Sequence, residues 1–134
     1  MAATPYNKWG VSYSTIAFFE QALSKHSKVK SFSRRNDILF DIQLITGKEI
    51  TVLLLDEYTL GLAAVLKALS DFPDAKYIVI GAYWNGYTKE AKEYCDENNI
   101  GIFVIGDFFG AIHRKEPMKF YRKDSNGKPI YNYK

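Results

Sequence analysis

Apolar residues along the chain alternate between two spacings, and the spacing separates helices from strands. Ile16, Phe19, Ala22 and Leu23 recur three, three and one apart, which predicts a helix over Ser14–Lys25 with Ser12 or Ser14 as its N-cap. Val29–Phe32 reads as a short strand. Ile38–Ile45 and Glu49–Leu55 are dense in β-formers and flank Thr46-Gly47, so they predict a hairpin. Thr59 is placed to cap a helix over Leu60–Leu69 that Pro73 terminates. Lys76–Ile80 reads as a buried strand, Thr88–Asn98 as a polar helix burying Ala91, Tyr94 and Cys95, and Ile102–Ile105 as another strand. A strand-helix-strand unit of this length implies a parallel, right-handed crossover. The order predicts an α/β fold: a mixed sheet with an antiparallel hairpin, parallel strands and helices on both faces.

After Ile112 the pattern changes. Phe120–Lys123 and Pro129–Tyr133 flank Ser125-Asn126-Gly127, and Asn-Gly favours a tight hairpin turn. Residues 1–112 therefore read as the main domain, and 113–134 as a basic C-terminal hairpin or mobile tail.

Charge sharpens this division. Lys25–Arg35 holds five basic residues and no acid, and Arg114–Lys134 holds seven basic residues against two acids. The overall net charge is +3, so the remainder of the chain carries −7. Segregated positive charge is the footprint expected of a polyanion binder. Lys28, Lys30, Arg34 and Arg35 are the candidate phosphate contacts in the first segment, and Arg114, Lys119, Arg122 and Lys123 in the second. Aromatics make up 16% of the chain, and Tyr121 or Tyr131 is available for base stacking.

Other chemistry is thinly signalled. The single cysteine, Cys95, excludes an internal disulfide and reads as a packing residue in its helix. His26 and His113 are far apart in sequence, lack metal-ligand spacing and read as surface residues. Gly81-Ala-Tyr-Trp-Asn-Gly86 has too few glycines for a phosphate loop, and no Gly-Lys-Ser/Thr occurs. No apolar run approaches the ~20 residues of a membrane span, and Met1–Gly10 has no signal-like apolar stretch, so a cytoplasmic protein without a membrane partner is expected.

The element order over about Ser12 to Phe109 resembles the restriction-endonuclease-like, or PD-(D/E)xK, nucleases. The run Tyr77-Ile-Val-Ile-Gly-Ala-Tyr-Trp-Asn-Gly-Tyr-Thr-Lys-Glu-Ala-Lys-Glu-Tyr-Cys-Asp-Glu-Asn-Asn-Ile-Gly-Ile-Phe-Val-Ile105 looks like the later half of Mrr-like domains. The resemblance implies an Asp on the second strand and a Glu-x-Lys on the third, which together hold a divalent metal and activate water. Asp41, inside Ile38-Leu-Phe-Asp-Ile42, matches the first. The third strand reads Val52-Leu-Leu-Leu-Asp56, so Leu54 stands where the Glu is expected and Asp56 where the Lys is expected. Glu20, on the first helix, occupies the place of an additional acid found in some members, and Lys67 is a candidate for a migrated lysine.

The resulting expectation is a nucleic-acid-associated protein that has kept a nuclease-like fold and acts by binding, without a cofactor. One alternative is an active nuclease in which Glu20, Asp41 and Asp56 hold Mg²⁺ or Mn²⁺. A second is an interaction scaffold or homo-oligomer built on exposed aromatics. A doubly wound nucleotide binder is disfavoured by the missing glycine fingerprint.

Overall fold

The computed structural model describes residues 7–81 and 85–134. Helix α1 (Tyr13–Lys25) buries Ile16, Phe19 and Leu23. Its cap is Ser12, whose hydroxyl accepts from the Thr15 N–H at 3.2 Å. Strand β1 (Val29–Arg35) runs three residues past the expected Phe32. The extension is polar and mostly exposed, so hydrophobic pattern alone does not reveal it. Asn36 and Asp37, both at positive φ, turn the chain into β2 (Leu39–Leu44). Gly47, at φ +91°, closes the hairpin from β2 to β3 (Glu49–Leu55).

Thr59 does not cap a helix. Thr59–Leu60 forms a short strand, β4, and the next helix, α2 (Leu62–Asp71), starts from Gly61. The delay has a backbone cause. The Tyr58 and Leu60 carbonyls accept from the Gly86 and Thr88 N–H groups, so this segment is committed to pairing. Strand β5 (Tyr77–Ile80) is wholly buried, and β6 (Gly86–Tyr87) pairs parallel with β4. Helix α3 (Lys89–Glu97) is capped by Thr88 and buries Ala91, Lys92 and Cys95, with Tyr94 half-buried against the core as expected. Strand β7 (Gly101–Val104) passes directly into α4 (Ile105–Ala111). This helix has no clear sequence signature, because Gly106 and Gly110 depress its propensity. Burial of Ile105, Phe108 and Ala111 holds it in place.

The main sheet has the order β1-β2-β3-β5-β7. The β1-β2 and β2-β3 pairs are antiparallel, and β3-β5 and β5-β7 are parallel. Helices cover both faces. Phe19 of α1 meets Phe40 edge-on at 4.9 Å, and Phe108 of α4 meets Tyr77 at 6.3 Å, both on one face. Two neighbouring residues of β1 mark the sides: Arg34 reaches Glu20 on α1, and Arg35 reaches Asp74 just after α2. Among the described residues, no helix is long and apolar enough to cross a membrane.

The C-terminal segment forms the expected hairpin, β8 (Arg122–Lys123) with β9 (Pro129–Ile130), and it is docked on the body. A 3₁₀ turn (Pro117–Lys119) buries Pro117, and Phe120 packs near Phe103 of the edge strand β7. The Tyr87 N–H donates to the Asn132 carbonyl at 3.0 Å, and the Lys134 N–H donates to the Tyr87 carbonyl at 2.9 Å. Gly86 permits this approach, since a Cβ there would collide with the Asn132 carbonyl oxygen.

Candidate functional site

The three acids proposed as metal ligands do not converge. Asp41, half-buried on β2, accepts from Arg35 Nε at 2.8 Å and from Thr51 Oγ1 at 2.9 Å. The Arg35 hydrogen bond, opposed by burial and assisted by Thr51, lowers its pKa. Glu20 lies over the opposite face, 3.4 Å from Arg34 Nε. Asp56 lies at the end of β3, where it accepts from Thr15 Oγ1 at 3.2 Å and Asn85 Nδ2 at 3.0 Å. Asp41 is paired with Thr51, five residues before Asp56, so the two are about 17 Å apart along the strand direction. Such a separation is far beyond what one ion can bridge through ligands about 2–2.6 Å away.

No group of three His, Cys, Asp or Glu residues suited to a metal occurs among the described residues. Glu20, Asp41 and Asp56 are therefore not one ligand set, which corrects the expectation carried by the nuclease alternative. Leu54 is fully buried, and Lys67 lies over the Trp9 ring, 5.3 Å from its centroid. The nucleotide-binder reading also lacks its geometry. Strand order advances in one direction from β1 to β7, leaving no reversal point to open a crevice.

The candidate phosphate contacts divide into two groups. Arg34 is held by Glu20 and Asp37, and Arg35 by Asp41 and Asp74. Arg122 contacts Asp107 at 2.6 Å, and Asn132 Nδ2 donates to the same carboxylate at 2.8 Å. These three guanidiniums are each engaged by carboxylates of the fold. Lys119 has a surface pairing with Glu116 at 3.4 Å. Lys28, Lys30, Arg114 and Lys123 have no ion-pair partner among the described residues. Arg114 lies over Phe120 and Lys123 over Tyr121.

Tertiary structure brings the two basic segments together. A cleft of about 470 Å³ is lined by Lys28 from the α1–β1 junction, Lys48 from the β2–β3 turn, and His113, Arg114 and Lys115 following α4. No carboxylate lines it, and Leu44, Ile45 and Ile112 supply an apolar floor. Local hydrogen bonding sets the positions. The Ile45 N–H donates to the Lys28 carbonyl at 2.9 Å, joining the two basic strand ends.

His26 pins the third element. Its Nδ1 accepts from the Lys28 N–H at 3.1 Å, so Nε2 carries the proton and donates to the Phe109 carbonyl at 3.0 Å. Burial, followed by the charges of His113 and Lys28, lowers its pKa against the raising effect of the Phe109 bond. The His26 and His113 rings are 4.6 Å apart, although 87 positions of sequence hide the pairing.

Sequence reasoning missed Lys48 and Lys115. Lys115 was legible within the second basic segment. Lys48 could have been found from the hairpin register, which places the turn beside the start of β1 through Val29 and Leu44. Cys95 is buried, and burial pushes its thiol pKa up to about 12, in keeping with a packing role. Comparisons with protein-family models, curated proteins and solved structures find no match for this chain.

Proposed function

We propose that this chain binds nucleic acid through the basic cleft, on a restriction-endonuclease-like scaffold that does not cut. The observation that carries the reading is the meeting of Lys28, Lys48, Arg114 and Lys115 in one cleft without a lining carboxylate. Like charges gathered this way repel one another unless a polyanion or counterions neutralise them, and a phosphate backbone releases its own condensed counterions on binding. The scaffold assignment rests on element order and on the hairpin of β2 and β3 followed by parallel β5 and β7. The non-cutting reading is supported by Leu54, which cannot ligate a metal, and by the dispersal of Glu20, Asp41 and Asp56.

The test is fluorescence anisotropy with duplex and single-stranded oligonucleotides across a salt series. About four phosphate contacts predict a log–log salt slope of roughly −3 to −4, and non-specific affinity in the ~10⁻⁴–10⁻⁶ M range. No binding at low salt to either form overturns the reading. In parallel, plasmid incubated with Mg²⁺ or Mn²⁺ should remain intact. Nicking that disappears in Asp41→Ala would make the protein an enzyme.

A further inference from the structure

The C-terminal hairpin leaves three large aromatic rings partly exposed. Arg122 pairs with Ile130, so the antiparallel register makes Tyr121 and Tyr131 cross-strand neighbours. Their ring centroids are 6.4 Å apart, and Tyr133 continues the row 5.4 Å beyond Tyr131. Between the latter two, Asn132 turns inward to Asp107 and Tyr87, and this alternation faces the tyrosines outward. Tyr121, Tyr131 and Tyr133 remain 40%, 37% and 45% exposed. The exposed remainder of these three adjacent rings is surface that an occupant would cover favourably.

Cations accompany the rings. Lys123 Nζ is 5.8 Å from the Tyr121 centroid, and Lys92 Nζ is 5.4 Å from that of Tyr131. The row is continuous with the basic cleft: one groove of about 440 Å³ runs from Lys48 past Lys119 to Tyr121 and Tyr131. A second, of about 600 Å³, links Arg114 to Tyr121 and Lys123. Two acids along these grooves have basic partners of their own, Asp96 with Lys92 at 3.0 Å and Glu116 with Lys119 at 3.4 Å.

We infer that the ligand is single-stranded nucleic acid, with unpaired bases stacking on Tyr121 and Tyr131 while the phosphates run along Arg114 and Lys48. This inference rests on the polyanion reading of the cleft and names its substrate class. In a duplex the base faces are already stacked on one another, so aromatic rings have nothing to engage without unpairing. A single strand offers base faces and phosphates together. Base stacking is tolerant of sequence because every base has a π-face, so selection by strandedness rather than by sequence follows.

Four probes test this on the full chain: an oligothymidylate, an oligouridylate, a duplex of the same length, and heparin, a polyanion without bases. Both single strands should bind about tenfold or more tighter than the duplex. Tyr121→Ala and Tyr131→Ala should each weaken single-strand binding by about tenfold. They should leave heparin affinity and the salt slope unchanged, which excludes misfolding as the cause. Tyr121→Phe and Tyr131→Phe should restore binding, because the ring is kept. A preference of at least tenfold between the two single strands would overturn strandedness as the sole selector. Equal affinity for duplex and single strands, with silent alanine variants, overturns the stacking while leaving the basic cleft intact. Failure of all four probes to bind overturns the cleft reading and this inference with it.

Discussion

The two ends of β1 carry similar charge in opposite surroundings. At the Arg34–Arg35 end every guanidinium faces carboxylates, on α1 and the β1–β2 turn on one side and on β2 and the α2–β5 loop on the other. At the Lys28 end the strand meets Lys48, Arg114 and Lys115 and no acid. In sequence these ends are seven residues apart and belong to a single basic cluster. The difference shows that cations adjacent in a run can be neutralised by the fold at one end and left unpaired at the other. Arg34 and Arg35 also protect the exposed edge of the sheet, because charged side chains discourage pairing with a second chain.

Charge reversal separates the two ends most sharply. Replacing Lys28, Lys48, Arg114 and Lys115 together by Glu should weaken nucleic-acid binding by at least about a hundredfold at low salt and flatten the salt dependence. Arg34→Ala with Arg35→Ala should change affinity by less than about threefold, while lowering the urea midpoint. Anisotropy and urea titrations on both variants measure this. An Arg34/Arg35 variant as defective as the reversed cleft would erase the distinction.

Arg122 extends the test to the second basic segment. Its partner Asp107 is mostly sheltered and is also bound by Asn132, so removing the guanidinium strands a carboxylate at the root of the hairpin. Arg122→Ala should cost about 1 kcal/mol in urea unfolding, reduced from a buried pair because the arginine is largely exposed. Lys123→Ala, a few ångströms away on the same hairpin, should leave stability unchanged.

A smaller effect comes from His26. Its folded-state pKa lies below the ordinary 6.5, so the unfolded chain takes up the proton first as pH falls. The stability it contributes is complete above 6.5 and is lost progressively as pH falls through that value toward the folded pKa. The charged groups facing it are His113 and Lys28, and both oppose protonation. Thermal melts should therefore show a decline just below pH 6.5 that is reduced in His26→Gln. Equal slopes in the two proteins would show that His26 is not the titrating group. A carboxylate contribution is separable, because Asp41, depressed by Arg35, loses its stabilising role only as pH falls below the ordinary 3.8.

Local chemistry was enough to determine most of the elements. Helix periodicity around Phe19, the capping Ser12 and the Gly47 turn depend on neighbours within a few residues, and the strand-helix-strand spacing on one continuous stretch, so they are legible along the chain. The same reasoning predicted the antiparallel β2–β3 pair and the parallel β5–β7 pair. What depends on partners far away in sequence was decided only by the tertiary structure. Thr59–Leu60 became a strand because Gly86–Tyr87 lay beside it, and α4 formed despite two glycines because the core buried its apolar face. The same holds for charge. Whether an arginine is a tether or a contact depends on which carboxylate the fold delivers to it, as Glu20 is delivered to Arg34 and Asp107 to Arg122. Composition determined that positive charge is plentiful, and packing determined where it remains unneutralised: in the cleft where Lys28, Lys48, Arg114 and Lys115 converge.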